Sequence, residues 1–400
     1  MVNLNQNRMI SVVEAKLLIQ ENVSPMPVHP VSLALAAGHT LSADIYAKHD
    51  IPAFEQSSMD GYALRFEDKD LPLTITGEMQ AGVTTQFQLL AGQAARIFTG
   101  APLPLGADTV VMQEKVTANN GMLTILDPQL SKGLNVRHKG AEVSKGALAI
   151  SKGSQLSPAA IGFLAGIGYD ALEVNQNPAV GIIVTGKELQ QPGRELNFGQ
   201  VYESNSYSLS AALQQCGLND IHFYMADDHL EELTAVLQEA LTANDVVLLT
   251  GGVSVGDYDF VIKAAEQCGI RQIFHKVKQK PGKPLYFGKK EAKVIFGLPG
   301  NPSSVLSCFY QYVLPALEKM TNQKSRIKVV EAVLTHECSK PAGLTHFLKA
   351  HFDDGNVTPL HAQESFRMSS FAQANAMIEL PEEETVFAAG TKVKVYIFPE

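Results

Sequence analysis

The sequence predicts a multidomain protein in which one doubly wound α/β domain is combined with separate β-rich domains, and three observations carry that reading. Four hundred residues exceed a single ordinary core. From about residue 178 to 320, apolar strands alternate with helical stretches, the pattern of parallel strands with helices on both faces. Before and after that block, the texture changes to short apolar runs separated by Gly, Pro and Asn.

Taken in order, SVVEAKLLIQENV opens with Ser11 and Glu14 at capping-box spacing and predicts a first helix. Between Ile51 and Val136, runs such as LPLTITGEM, AARIFTG, TVVMQEKV and MLTIL predict a compact β-rich domain without a helix of ordinary length. Ser157 and Pro158 then read as an N-cap and a first-turn proline, and that helix ends near Gly166 and Gly168. The flanks of the β-rich stretch, residues 27–50 and 138–175, are expected to form one unit into which it is inserted.

Four strand and helix pairs follow: AVGIIVTG with SNSYSLSAALQQCG, IHFYMA with DDHLEELTAVLQEAL, DVVLLTGG with DFVIKAAEQCG, and VIFGLPG with a long helix from Asn301 and Pro302. IKVVEAVLTHE, THFLKAHF, NAMIELP and TKVKVYIF close the chain as a small β domain. The expected division is therefore 1–50 with 138–175, 51–137, 176–326 and 327–400.

A net charge of −9 argues against a nucleic-acid binder, so any anion must be caught locally. The four cysteines are scattered outside metal spacing and read as buried thiols. The first residues lack the pattern of a signal peptide, and no apolar run nears the roughly twenty residues that span a bilayer. A cytoplasmic protein without membrane association is expected.

The chemistry concentrates at strand ends, where ligands bind in open α/β sheets. VTGKEL, LTGGVSVGDYD and GLPGNPSS are three such ends, and FHKVKQKPGKPLYFG sets lysines around a Pro-Gly turn. Each alone fits ordinary turn chemistry, and Asp228 fits a helix N-cap. Together they suit phosphate: glycine backbones and helix starts hold its oxygens while Lys280 and Lys283 supply charge. Carboxylates in that crevice need a hard cation between them and the phosphate, so Glu188 and Asp259 are candidates for Mg²⁺. In the β-rich domain, the Asp60-Gly61 pair of FEQSSMDGYALR reads by residue type as a turn before a strand.

The motifs SSMDGYA, TGAPLPLGADTVVMQE, VTGKEL, LTGGVSVGDYD, KPGKP and GLPGNPSS, in this order over most of the chain, resemble the molybdopterin molybdenumtransferase family, which includes bacterial molybdenum-insertion proteins and the gephyrin E domain. The resemblance implies an elongated, four-domain homodimer in which residues 1–50 with 138–175 link and dimerise and residues 327–400 are barrel-like. It implies insertion of molybdate into adenylylated molybdopterin with divalent-metal-dependent release of AMP, in a cleft shared between subunits. A molybdopterin adenylyltransferase and molybdenum-enzyme apo-proteins are the partners it implies.

Carried over by motif, catalytic roles fall on Asp60, Glu188 and Asp259, and metal roles on Glu188, Asp259 and either Asp227 or Asp228. Thr99, Thr185, Gly251, Gly252, Ser254, Pro299, Asn301 and Pro302 would line the substrate pocket, and Lys280, Lys283, Lys349 and Ser370 would bind molybdate. The chain departs from the family at Lys187, Glu203 and Glu142, where Asp is usual, and at Lys349, where Arg is common. Lys187 either disturbs the metal set or neutralises the crevice, and Lys349 keeps a charge but loses the bidentate fork. Alternatives are a molybdopterin adenylyltransferase, a non-enzymatic gephyrin-like scaffold, and a generic Mg²⁺-dependent phosphohydrolase.

Overall fold

The computed structural model describes residues 8–227, 229–252 and 260–399. Its central sheet has six strands in the order Ile221–Ala226, Val180–Thr185, Val246–Thr250, Lys293–Leu298, Tyr286–Lys290 and Arg271–His275. The first four are parallel. Every residue of Val180–Thr185 and Val246–Thr250 is buried, which is why they read as unbroken apolar runs: helices cover both faces. Leu209 and Leu213 of the helix Asn205–Gln215 pack into the core on one side, and Leu233, Leu237 and Leu241 of the helix Leu230–Ala243 pack into the core on the other.

The all-parallel expectation fails at one edge. Tyr286–Lys290 runs antiparallel to Lys293–Leu298, because only Glu291 and Ala292 connect them, and a parallel pair needs a crossover of a dozen residues or more. Glu291 takes a positive φ of 56° to make that turn.

The first helix, Val12–Asn22, starts at Ser11, whose hydroxyl accepts the Glu14 N–H at 3.1 Å. The Glu14 carboxylate engages Arg8 at 2.8 Å instead of returning to the cap, so the box is half formed. Although the sequence groups this helix with 138–175, Val12, Ala15 and Ile19 pack into the core of the α/β domain. Its apolar face needs a partner surface, and the helix Leu314–Met320 supplies part of one.

Val28–Ser32 pairs antiparallel with Ala171–Asn175, which also pairs with Thr40–Leu41, and Leu33, Leu41, Leu156, Leu164 and Val174 share one core. The residues between them form a six-stranded sheet buried on both faces, since Ala63 and Val110 enter one cluster while their neighbours Leu64 and Val111 enter another. Cys216, Cys268 and Cys308 are buried free thiols, whereas Cys338 is partly exposed.

At the C-terminus, Thr345–Asp353 pairs with both Asn356–Pro359 and Ala376–Leu380, and Lys328–Leu334 with Lys392–Ile397 completes a closed ring of strands. Closure removes the free edges. Outside the ring, Gln279–Lys280 of the lysine segment adds to Thr345–Asp353 in parallel, with Gln279 opposite Thr345 and Lys280 opposite His346. The α/β domain and the barrel thus share a hydrogen-bonded seam.

That seam turns on Gly282, at φ +85°, where a Cβ would lie 2.5 Å from the Cys308 sulfur and 2.9 Å from the Gln279 amide nitrogen. Gln279 donates to the Gly282 carbonyl at 2.9 Å and accepts from the Tyr312 hydroxyl. Gly282→Ala is expected to destabilise the protein by about 2–4 kcal/mol. Gly343→Ala, at φ +94° in open space, is expected to cost about 1 kcal/mol. Urea unfolding midpoints check the difference.

Candidate active site

Three neighbouring strands end side by side at Thr185, Thr250 and Leu298, and their loops must approach closely. Gly251 allows this: at φ +87°, a Cβ there would stand 2.7 Å from both the carbonyl and the hydroxyl oxygen of Thr185. The Thr185 hydroxyl donates to the Thr250 carbonyl at 3.3 Å, and the Asn205 amide donates to the Gly300 carbonyl at 2.9 Å. The strand ends are held by their own polar groups.

A cleft of about 910 Å³ opens above them, between the α/β strand ends, the lysine segment and two loops of the barrel. It brings together Thr185, Glu188, Gly251 and Gly252 with Lys280 and Lys283, and with Pro299, Asn301 and Pro302. Both lysines are exposed on either side of the Pro281-Gly282 turn, and among the described residues neither ammonium has a protein partner. Glu188 is likewise exposed, and its carboxylate has no hydrogen bond or ion pair among the described residues. Its carboxylate folds over Gly186, where a Cβ would meet both oxygens at 2.9 Å. A hard, unengaged carboxylate beside two free cations fits the donor chemistry of Mg²⁺ shared with phosphate oxygens.

Asn301 occupies the cap position before Pro302, but its side chain does not cap the helix. It donates to the Ser365 hydroxyl at 2.9 Å, and the Ser303 N–H donates to the Ser365 carbonyl at 3.1 Å. A barrel loop therefore takes over one orphan donor of this helix start. Glu203, only 5 % exposed, accepts from the Ser206 N–H at 2.8 Å and from the Ser206 hydroxyl, which engages both of its oxygens at a helix start.

Several expected site residues lie elsewhere. Asp60 and Thr99 sit on the β-rich domain, outside this cleft, with the Thr99 N–H and hydroxyl both donating to Asp60 at 2.8 Å. Those two bonds, helped by Arg96, hold the Asp60 carboxyl below the usual carboxylate range. Gly61 serves packing as well as chain direction, since a Cβ there would fall 1.9 Å from the Val111 carbonyl oxygen. Asp227 is exposed beyond the sheet-edge strand and does not line the cleft. Asp228, Ser254 and Asp259 lie outside the described residues, and among the described residues no three His, Cys, Asp or Glu side chains form a metal-holding group.

Lys187 does not line the cleft, and its ammonium lies 3.1 Å from His229 Nε2, with no ion pair to Glu188 among the described residues. Lys349 and Ser370, which the resemblance assigns to molybdate, meet backbone carbonyls in this structure. The Lys349 ammonium bonds the carbonyls of Ala362, Glu364 and Arg367, and the Ser370 hydroxyl bonds that of Ala362. Their donors face a loop, not the cleft. Sequence reasoning missed Gln279 beneath the lysine turn and Gln363, Ser365 and Phe366 on the barrel side. No motif or periodicity marks these three.

Family models match three consecutive stretches of the chain: the MoeA N-terminal region (domain I and II) over residues 10–168, a probable molybdopterin binding domain over 181–319, and the MoeA C-terminal region (domain IV) over 331–398. The chain is 34% identical over 391 residues to a molybdopterin molybdenumtransferase of Haemophilus influenzae, covering 95% of this chain and 96% of that one. It is 33% identical over 375 residues to one of Bacillus subtilis, covering 90% and 87%. A molybdopterin biosynthesis MoeA protein from Pyrococcus horikoshii superposes with a TM-score of 0.84 at 31% identity, over 98% of this chain and 100% of that one.

Nothing in the described protein relies on the Glu188 charge, so Glu188→Gln is expected to leave stability within about 0.5 kcal/mol of the parent, measured by equilibrium unfolding. Thr99→Val removes one of the two donors to Asp60, so the Asp60 carboxyl should titrate at higher pH than in the parent, by carbon-detected NMR. An unchanged titration would show that the hydroxyl bond is not formed in solution.

Proposed function

The chain belongs to the molybdopterin molybdenumtransferase family, and on that premise we propose that it inserts molybdate into adenylylated molybdopterin with release of AMP. The observation that carries this reading is the pairing, in one cleft, of two unengaged ammonium groups with an unengaged carboxylate. Molybdate and the substrate phosphates are oxyanions and call for cationic and hydroxyl donors, which Lys280 and Lys283 supply. The glycine-bearing strand ends at Gly251 and Gly252 let the ligand approach the backbone closely. Thr185 and Pro299 to Pro302 complete the substrate wall.

Glu188 would hold a divalent cation, Mg²⁺ in our reading, with Asp259 and Asp228 as further ligands, since Asp227, the other register of that motif, does not line the cleft. Bound there, the cation would polarise phosphoryl oxygens and offset charge on the departing AMP. The chain's own residues orient the substrate, with Lys280 and Lys283 holding its anionic end against the strand ends. Asp60, kept ionised by Thr99, lies outside this chain's cleft, which favours a homodimer in which the β-rich domain of one subunit completes the cleft of the other.

A molybdopterin adenylyltransferase would supply the substrate, and molybdenum-enzyme apo-proteins would receive the product. We place this work in the cytoplasm; among the described residues no helix is long and apolar enough to cross a membrane. The near-complete match to the relatives favours this reading over an adenylyltransferase, for which the α/β domain alone would suffice.

AMP release from adenylylated molybdopterin, measured with and without molybdate and Mg²⁺, tests the reading. Asp60→Asn, Glu188→Gln and Asp259→Asn are each expected to abolish release while leaving substrate binding largely intact. Normal release in any of them removes that residue from the mechanism. Equal mixing of Asp60→Asn and Glu188→Gln subunits is expected to restore about a quarter of parental activity, since half the dimers then carry one intact cleft. No recovery after verified subunit exchange would place both residues in one subunit's site.

A further inference from the structure

Lys349 projects from the barrel strand Thr345–Asp353 and is 2 % exposed. Its ammonium donates to the carbonyls of Ala362 at 2.8 Å, Arg367 at 3.1 Å and Glu364 at 3.4 Å. A lysine ammonium has three N–H donors and no lone pair, so this set engages all of them. An arginine has five donors in a planar fork and could hold carbonyls while reaching an anion, but lysine has none to spare.

The same segment is tied down independently. The Ser370 hydroxyl donates to the Ala362 carbonyl at 2.8 Å. The Gln363 amide accepts the Lys349 N–H at 2.9 Å and returns donors to the carbonyls of Lys349 and Leu360, both at 2.8 Å, standing in for a strand neighbour. On its far side, Ser365 takes up Asn301 and the Ser303 N–H at the start of the α/β domain's last helix. Residues 360–367 therefore form a strap fixed at both ends.

Besides Gln363, whose amide is spent on the strap itself, the strap carries into the cleft Ser365 and the ring of Phe366, which is 62 % exposed, with the Arg367 guanidinium 5.6 Å from its centre. An apolar ring left in water among charged groups is a surface that a planar heteroaromatic ligand covers favourably.

We propose that Lys349 is a positioning residue: it acts by holding the strap that presents Ser365 and Phe366 to the pterin or adenine ring of the substrate, and it does not touch the oxyanion. This rests on the molybdenum-transfer reading of the cleft. Ser370 shares the tethering task, so two residues assigned to the anion by family likeness instead shape the wall for the organic part of the substrate.

Lys349→Met in the full chain tests it by AMP release. The expected result is a rise of about tenfold in KM for adenylylated molybdopterin, with half-saturating molybdate shifted by less than about twofold. In a Ser365→Ala/Phe366→Ala background, the same substitution should add less than about twofold, because its route of action is already gone. Lys349→Arg should restore KM. A tenfold rise in half-saturating molybdate with substrate KM unchanged, or full multiplication of effects in the double background, overturns the proposal.

A second readout is independent of turnover. Amide hydrogen exchange of residues 362–367 should quicken by about tenfold in Lys349→Met, and in Ser370→Ala should Lys349→Met fail to fold. Unchanged exchange in the variant measured overturns the tether. Loss of AMP release already in the parent would instead count against the assigned reaction, and the exchange result would still judge the strap.

Discussion

The pairing of Gln279 and Lys280 with Thr345 and His346 is the contact on which the rest of the site depends. It joins a loop of the α/β sheet to the outside of a closed barrel, and so makes one cleft from strand ends and barrel loops that are far apart in sequence. The turn between Lys280 and Lys283 is supported from below by Gln279, Gly282 and Tyr312, which leaves both ammonium groups free above it. Buried polar groups do the holding, and exposed charges remain available to a ligand.

The same separation recurs on the barrel side. Lys340 and Lys349 are both buried, and each bonds three backbone carbonyls; Lys340 holds those of Pro341, Leu344 and Glu382. Burial lowers the pKa of each amine, with nearby glutamates opposing the shift. Those hydrogen bonds account for the toleration of such amines in the interior. Leu344, Gln363, Ser365 and Phe366 line the cleft, so two internal cations shape its wall while two exposed ones, Lys280 and Lys283, line it directly. Lysines alike in sequence thus divide by burial into a structural pair and a cleft-lining pair.

How much of this could be read beforehand follows from what each residue type reveals. Val180–Thr185 and Val246–Thr250 were legible because strands covered on both faces must be apolar throughout. The helix starting at Pro302 was legible from its proline, yet the destination of the Asn301 side chain was not, because a cap and a tie to a distant loop use the same amide. The antiparallel edge was hidden because Tyr286–Lys290 begins inside a stretch that reads as lysines around a turn, and only Glu291 and Ala292 separate it from the next strand. Lys349 and Ser370 showed their donors but not their depth, and depth decided which acceptors they meet. Phe366 follows no period at all, and only the folded strap places it in the cleft.

The central claim is that the oxyanion is held by the exposed pair Lys280 and Lys283 and not by the buried Lys349. Anomalous scattering at the molybdenum edge, from crystals equilibrated with molybdate, tests it most directly. The account predicts a molybdenum peak within hydrogen-bonding reach of molybdate oxygens from the Lys280 and Lys283 ammonium groups, with the Lys349 carbonyl bonds intact. A peak coordinated by Lys349 and Ser370, with the strap displaced, would contradict it.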